Sequence, residues 1–411
     1  MRTPIGDMHD FEASHFINKL IRFLGRNTID RCLQKYKIAL ISSGPVFREY
    51  YLRMRHPWWE PLSAYFQIEK QGKSIKNNLT IEMKLLAEYG LKISTLQRYM
   101  PEKIKEQYRK NLIDDNNAIN YLFEIDIAWH FFAKGCKIEW YDDDSTTHSE
   151  FFVKTPIFDF NVECKRFNVD LARKIRRKDF YRLAEKLLPA IEEKGYSGII
   201  DIKLKDRLHS NEDYLNELTS QVIDIITNNE IINGSFQISF GSIIMNLQKS
   251  KSNAINFLER YKKLDAKLHE IKPNRAHEII FAMSEDGKPV NPIEMTIISE
   301  KSDNVLDTIR ERFSKKAKRQ LDNSKPGLIV CFIEGITGDD LKKLSSNSAL
   351  QIMTYYLFQK DSFNHIAAIG YCGEILIEKS AYAESYSNPE LLFRNYNCKF
   401  EIARNYDYLG K

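Results

Sequence analysis

One stretch constrains this chain more than any other: Phe158 to Asp170, FDFNVECKRFNVD. Phe158, Phe160, Val162 and Cys164 alternate with Asp159, Asn161, Glu163 and Lys165. A period of two is the mark of a strand with two unlike faces. The apolar face buries without cost. The other face carries charge, which burial penalises unless the charge is paired or holds a metal. The sequence therefore predicts that the polar face looks into a cleft, with Lys165 about 7 Å beyond Glu163 along it.

The surroundings define the class. AINYLFEIDIAWHFFAKG reads as an amphipathic helix stopped at Gly135, and CKIEWY and SEFFVK as short strands before the quoted one. LARKIRRKDFYRLAEKLLPAIEEKG reads as a long helix and YSGIIDIKLK as a further strand. The order α-β-β-β-α-β over about 118–205 describes an α/β core with a mixed sheet. Residues 1–115 carry apolar side chains at spacings of three and four, so an α-helical N-terminal region is expected, with Gly25 and Gly90 as helix stops. In its HPWWEPL loop, Trp58 and Trp59 either pack helix against helix, the favoured reading, or stack on a base. Residues 116–411 are read as one α/β domain with a C-terminal extension.

Composition excludes several classes. With 411 residues, 43% hydrophobic and 28% charged, the chain suits a folded protein of more than one small core. A formal net charge of +5 permits an anionic partner. The six cysteines are far apart with no CxxC pair, as for reduced thiols in a cytosolic protein. No apolar run approaches the roughly 20 residues that span a bilayer, and the first residues are polar, so no membrane contact and a cytoplasmic location are expected. GxGxxG, GxxxxGK[ST], HExxH and GxSxG are absent, which argues against a nucleotide-driven motor and a serine hydrolase. His130 is read as a packed side chain.

Glu163-Cys164-Lys165 on an apolar strand, within that element order, resembles the PD-(D/E)XK nuclease superfamily. The resemblance covers about ninety residues. It implies a restriction-endonuclease-like mixed sheet flanked by helices and metal-dependent phosphodiester hydrolysis, with DNA as the expected substrate. Glu163 and an acidic partner would hold Mg²⁺ or Mn²⁺, and Lys165 would orient water or stabilise charge on the phosphate. Glu124, a charge within an apolar helix, stands where family members carry a further Glu. Restriction or defence is the expected setting, and a homodimer would allow both strands to be cut.

Three residues compete for the second metal position. Asp159, four residues before Glu163, lies about 13 Å away along a straight strand and serves only if the strand bends. Thr155 to Phe158 would make a four-residue turn with Pro156 second. Lys154 then pairs with Asp159 and Glu150 faces Glu163, whereas a one-residue slip brings His148 there instead. Asp144 is spaced from Glu163 as the family's Asp often is. Asp159 leads because such strands are often bent and TPIFD looks like a contracted form of the family's motif.

Arg173, Lys174, Arg176, Arg177 and Lys178 follow the strand. On a continuous helix Arg173, Arg176 and Arg177 share a side and would neutralise phosphates. A second run, with Lys315, Lys316, Lys318 and Arg319, would extend that groove or form a solvated helix face. Against all of this stands a plainer arrangement: Asp159 and Glu163 with Lys154, Lys165 and Arg166 as a cross-strand ladder of ion pairs. The alternative function is an inactive nuclease-fold module that binds nucleic acid or scaffolds a partner. An RNase would share the metal chemistry.

Overall fold

The structure is a computed structural model and describes residues 10–48, 52, 55–73, 78–141, 149–168, 172–229, 232–249, 275–283, 289–303, 305–313, 321–334, 341, 349–373, 376–379, 384–387 and 390–409. The chain opens with helices α1 (Asp10–Leu24), α2 (Arg26–Ser42), α3 (Trp59–Lys70), α4 (Ile81–Leu96), α5 (Glu102–Leu112) and α6 (Ala118–Ala133). Strands β1 (Lys137–Trp140), β2 (Phe151–Lys154) and β3 (Asp159–Asn168) follow, then helix α7 (Arg177–Lys194), strand β4 (Tyr196–Leu204) and helix α8 (Glu212–Asn228). Next come β5 (Ile232–Ile238), β6 (Gly241–Lys249), β7 (Arg275–Met283), β8 (Pro289–Ser299) and α9 (Val305–Arg312). The chain ends with β9 (Gly327–Glu334), α10 (Ala349–Phe358), β10 (Ile366–Cys372), β11 (Leu376–Lys379), β12 (Glu384–Ser387), β13 (Glu390–Arg394) and α11 (Glu401–Arg404). This is a mixed α/β protein.

Two compact units emerge, one of residues 1–36, 56–169 and 306–411, the other of 37–55 and 170–305. The run 1–115, expected as a region of its own, instead gives most of its helices to the unit that holds β1 to β3. The physical reason is a shared core: Ile17, Leu20, Leu86 and Leu112 of the helices are buried with Phe151, Phe160 and Val162 of the strands.

The first unit is built on a six-stranded sheet of order β1-β2-β3-β9-β10-β13. β1, β2 and β3 form an antiparallel meander, β3 to β9 and β9 to β10 are parallel, and β13 closes the edge antiparallel to β10. The turn of the second hairpin forms as counted from sequence, with Lys154 opposite Asp159. Thr155 organises it, since its hydroxyl accepts from the Phe158 N–H at 3.0 Å. The strand beside β3 is β9, and its Ile329 lies opposite Glu163. β4, expected in this sheet, belongs instead to the second unit, whose five-stranded sheet runs β5-β6-β4-β8-β7. The continuous apolar run GLIVCFIE of β9 suits a strand buried between parallel neighbours, so it outcompetes the nearer but less apolar β4.

Two glycines set the helical part. Gly25, at φ +85°, ends α1 in a left-handed turn. Gly90 is no helix stop. It lies buried inside α4, where an added Cβ would meet the Phe16 carbonyl oxygen of α1 at 2.1 Å. The two helices therefore pack backbone to backbone. Trp58 and Trp59 are buried at 1% and 3% exposure, so they pack and are not available to a base. Trp59 stacks on His56 at 4.0 Å and donates to Asp115 at 2.9 Å. No helix among the described residues is long and apolar enough to cross a membrane.

Candidate active site

Glu163 sits in the middle of β3 at 0% exposure, and Asn161 of the same face is 1% exposed. The polar face expected to line an open cleft is thus covered at its middle, where the Glu163 charge is buried, while Asp159 and Lys165 at either side are partly exposed. Lys165, two residues on, is partly exposed at 27% and its ammonium ion-pairs with Glu163 Oε1. It also lies 3.9 Å from Glu150 Oε1.

Glu150 reaches this place through a local irregularity. Phe151 is paired with Val162, yet the Glu150 N–H also addresses the Val162 carbonyl, at 3.1 Å. Glu150 stands just before β2, so this extra bond holds the entry to the strand against β3 and directs the Glu150 side chain. Glu124 arrives from the opposite direction, from helix α6. Its Oε2 accepts a hydrogen bond of 2.8 Å from the Tyr108 hydroxyl of α5, and Trp140 Nε1 of β1 donates to the same oxygen of Tyr108 at 3.4 Å.

Three carboxylates therefore converge on one ammonium. Burial pushes Glu124 up to about 7; the Tyr108 hydrogen bond opposes this, the Glu163 charge adds to it and Lys165 opposes it. Glu150 is pushed well above the usual carboxylate range by burial, then by Glu163 and Glu124. Glu163 is raised by burial against the pull of Lys165. For Lys165, burial works against the charge, but Glu163 and Glu150 outweigh it and hold the ammonium above its ordinary value. The cluster is short of positive charge.

The remaining expected site residues fall elsewhere. Asp159 stands at the start of β3 opposite Lys154, so it is separated from Glu163 by the length of strand that the sequence implied. Asp144 and His148 lie outside the described residues, as do Lys315, Lys316, Lys318 and Arg319. Arg173, Lys174 and Arg176 precede helix α7, which starts at Arg177 and includes Lys178. They share no helical face. The chain is pinned there, with Ile175 buried, the Lys174 N–H donating to Asp303 Oδ1 at 2.7 Å and its carbonyl accepting from Leu208 at 2.9 Å. These five cations belong to the second unit and the carboxylates to the first. His130 is packed as expected, with Nε2 against the Tyr408 carbonyl at 3.0 Å. Arg166 turns away from the cluster and binds Glu334 of β9 through Nε at 2.9 Å and the Asn116 carbonyl at 2.9 Å.

Sequence reasoning missed Tyr108. The residue lies on the apolar stripe of α5 with Ile104 and Leu112, four residues to each side, which marks it as buried but does not name its partner. It also missed Asn161, whose Oδ1 accepts from the Tyr141 hydroxyl at 2.6 Å and whose buried Nδ2 has no hydrogen-bond partner among the described residues.

The donor set suits a hard divalent cation in kind, since carboxylate oxygens are the ligands such ions prefer. One observation supports the fit: the Glu163 carboxylate is fully buried, and while Oε1 is paired with Lys165, Oε2 has no hydrogen-bond partner among the described residues. No three His, Cys, Asp or Glu side chains among the described residues already stand in metal-holding array. Comparison with family models, with curated proteins and with solved structures gives no match.

Proposed function

We propose that this chain is a metal-dependent nuclease of PD-(D/E)XK type that hydrolyses phosphodiester bonds, with DNA as the substrate. The observation that carries the reading is the convergence of Glu124, Glu150 and Glu163 on Lys165 from a helix, the entry to β2 and a central strand. The element order supports it in part: α6 and the strands β1 to β3 follow one another as the resemblance implies, whereas α7 and β4 belong to the second unit.

Glu163 and Glu150 would hold Mg²⁺ or Mn²⁺. When bound, the ion would supply Lewis acidity at a phosphoryl oxygen and activate water. Lys165 would hold its positive charge at the position where negative charge develops on the phosphate. Glu124, poised near neutral pH, would exchange a proton with water, its orientation fixed by Tyr108. Asp159 has no part in this scheme. A cytoplasmic setting, a role in restriction or defence and a paired copy for double-strand cutting belong to the proposal as analogy.

An inactive fold that binds nucleic acid or scaffolds a partner is the competing reading. It is favoured by the absence of a formed metal array among the described residues and by the seat of Lys165 against Glu163. The deciding experiment measures cleavage of plasmid and linear DNA with Mg²⁺ or Mn²⁺ by wild type, Glu163→Ala and Lys165→Ala. Cleavage by wild type that both substitutions abolish, with DNA binding kept, supports the nuclease. Binding without cleavage by wild type, with either metal, supports the inactive module.

A further inference from the structure

A cleft of about 290 Å³ opens in the first unit between α1, the end of α4 and α5, lined by Lys19, Arg22, Phe23, Ser94, Gln97, Arg98 and Arg109. Four cations line one small cavity. Helix ends explain some of this, since cations are favoured near C-terminal carbonyls. Arg109 meets that need, donating to the Phe23 carbonyl at 3.1 Å and pairing with Glu102 at 3.0 Å. Arg22 stands in the last turn of α1 and Arg98 just beyond the end of α4, so helix ends account for part of their charge too. Lys19, which lies over the Phe16 ring at 5.0 Å, has no acidic partner among the described residues, nor have the exposed Arg22 and Arg98. Two helix ends offer only about half a negative charge each, so a surplus of positive charge remains even after Glu102 is counted.

We propose that this cleft binds a phosphate group. Arg22 and Arg98 supply planar guanidinium donors that match phosphate oxygens two at a time. Lys19 adds a point charge, and Ser94 and Gln97 line the wall with polar groups. Phe23 is too buried to stack on a base, so recognition falls on the phosphate, carried either by a nucleic-acid strand or by a free phosphate compound. Arg109 directly follows Tyr108, so α5 faces the cleft with one residue and Glu124 with its neighbour. The inference does not depend on the carboxylate cluster being catalytic.

The test uses the full chain in EDTA with two probes, inorganic pyrophosphate by calorimetry and a fluorescein-labelled single-stranded oligonucleotide by anisotropy. Wild type is compared with the double variant Arg22→Gln/Arg98→Gln and with a charge-matched control, Lys37→Gln/Lys70→Gln. Arg22 and Arg98 are exposed, so the fold is expected to survive, and an unchanged melting temperature checks this. A loss of at least about tenfold in affinity for either probe, absent from the control, supports the cleft. Loss for the oligonucleotide alone names a strand as the source, and loss for pyrophosphate names a free phosphate compound. Wild type that binds neither probe overturns the proposal. So does a double variant that binds like wild type, or a control that loses as much.

Discussion

Tyr108 donates a 2.8 Å hydrogen bond to Glu124 Oε2, tying helix α5 to the carboxylate that burial has pushed up to about 7. The hydroxyl is itself buried, and its own pKa is raised well above the ordinary value by burial and by Glu124. Tyr108→Phe removes the donor and leaves a buried carboxylate less satisfied. The variant is expected to lose about 1–3 kcal/mol in urea denaturation. Because the hydrogen bond favours charged Glu124, its loss should move the Glu124 titration further up, read by carboxyl NMR with and without the substitution.

The cluster also sets a pH dependence. Glu124 has a folded-state value near 7 against 4.5 for an ordinary glutamate, so the folded chain binds the proton more tightly. Its stabilising contribution is complete below about pH 4.5 and is lost as pH rises through about 7. In EDTA, the melting temperature of wild type is expected to fall between pH 5 and pH 8. Glu124→Gln, which stays neutral and still accepts from Tyr108, should flatten that slope and melt at least about 2 °C above wild type at pH 8.

Three raised carboxylates around one ammonium give a divalent cation something to neutralise. At pH 8, about 10 mM Mg²⁺ or Mn²⁺ is expected to raise the melting temperature of wild type, because a ligand bound only by the folded state stabilises it by mass action. Glu163→Gln, similar in shape, should abolish the increase, and Asp159→Asn should leave it intact. An increase that survives in Glu163→Gln would place the cation elsewhere.

Much of the site was legible because it is local. Alternation over Phe158 to Lys165 marked the strand, and the Thr155 to Phe158 turn put Lys154 opposite Asp159 and Glu150 near Glu163. The preference for Asp159 needed a bend in β3, which runs unbroken from Asp159 to Asn168; Glu150 is held at the entry to β2 by a backbone hydrogen bond to Val162 that no residue type announces. The strand beside β3 was not legible. Residues 170–305 intervene, and proximity in sequence pointed to β4 while long-range parallel pairing chose β9. Arg173 to Arg176 misled for a related reason. Helical periodicity extends across them, but burial of Ile175 and the backbone bond to Asp303 hold the chain out of the helix.

Arg166 provides a test of that β3–β9 pairing. Its guanidinium binds Glu334 across the two strands and the Asn116 carbonyl ahead of α6, with both charged side chains mostly buried. Removing one partner of such a pair strands the other, which costs more than the pair contributes. Arg166→Ala is expected to cost about 2–4 kcal/mol in urea denaturation. Arg166→Ala/Glu334→Ala should recover part of that loss. A double variant as unstable as the sum of the two single ones would mean that the strands do not meet at these residues.

Gly90 tests the helical half. Any side chain there must push aside the Phe16 backbone, because the oxygen in the way belongs to α1 and is not the flexible end of a side chain. Propensity alone favours the change, since Ala is better than Gly in a helix interior by about 1 kcal/mol. Packing opposes it and is the larger effect at a contact of 2.1 Å. Gly90→Ala is therefore expected to destabilise the chain by about 2–3 kcal/mol, measured by urea denaturation. If the substitution instead stabilises the chain, as a solvent-facing helix position would, α1 does not lie against α4 at Phe16, and the shared core of helices and strands would need to be redrawn.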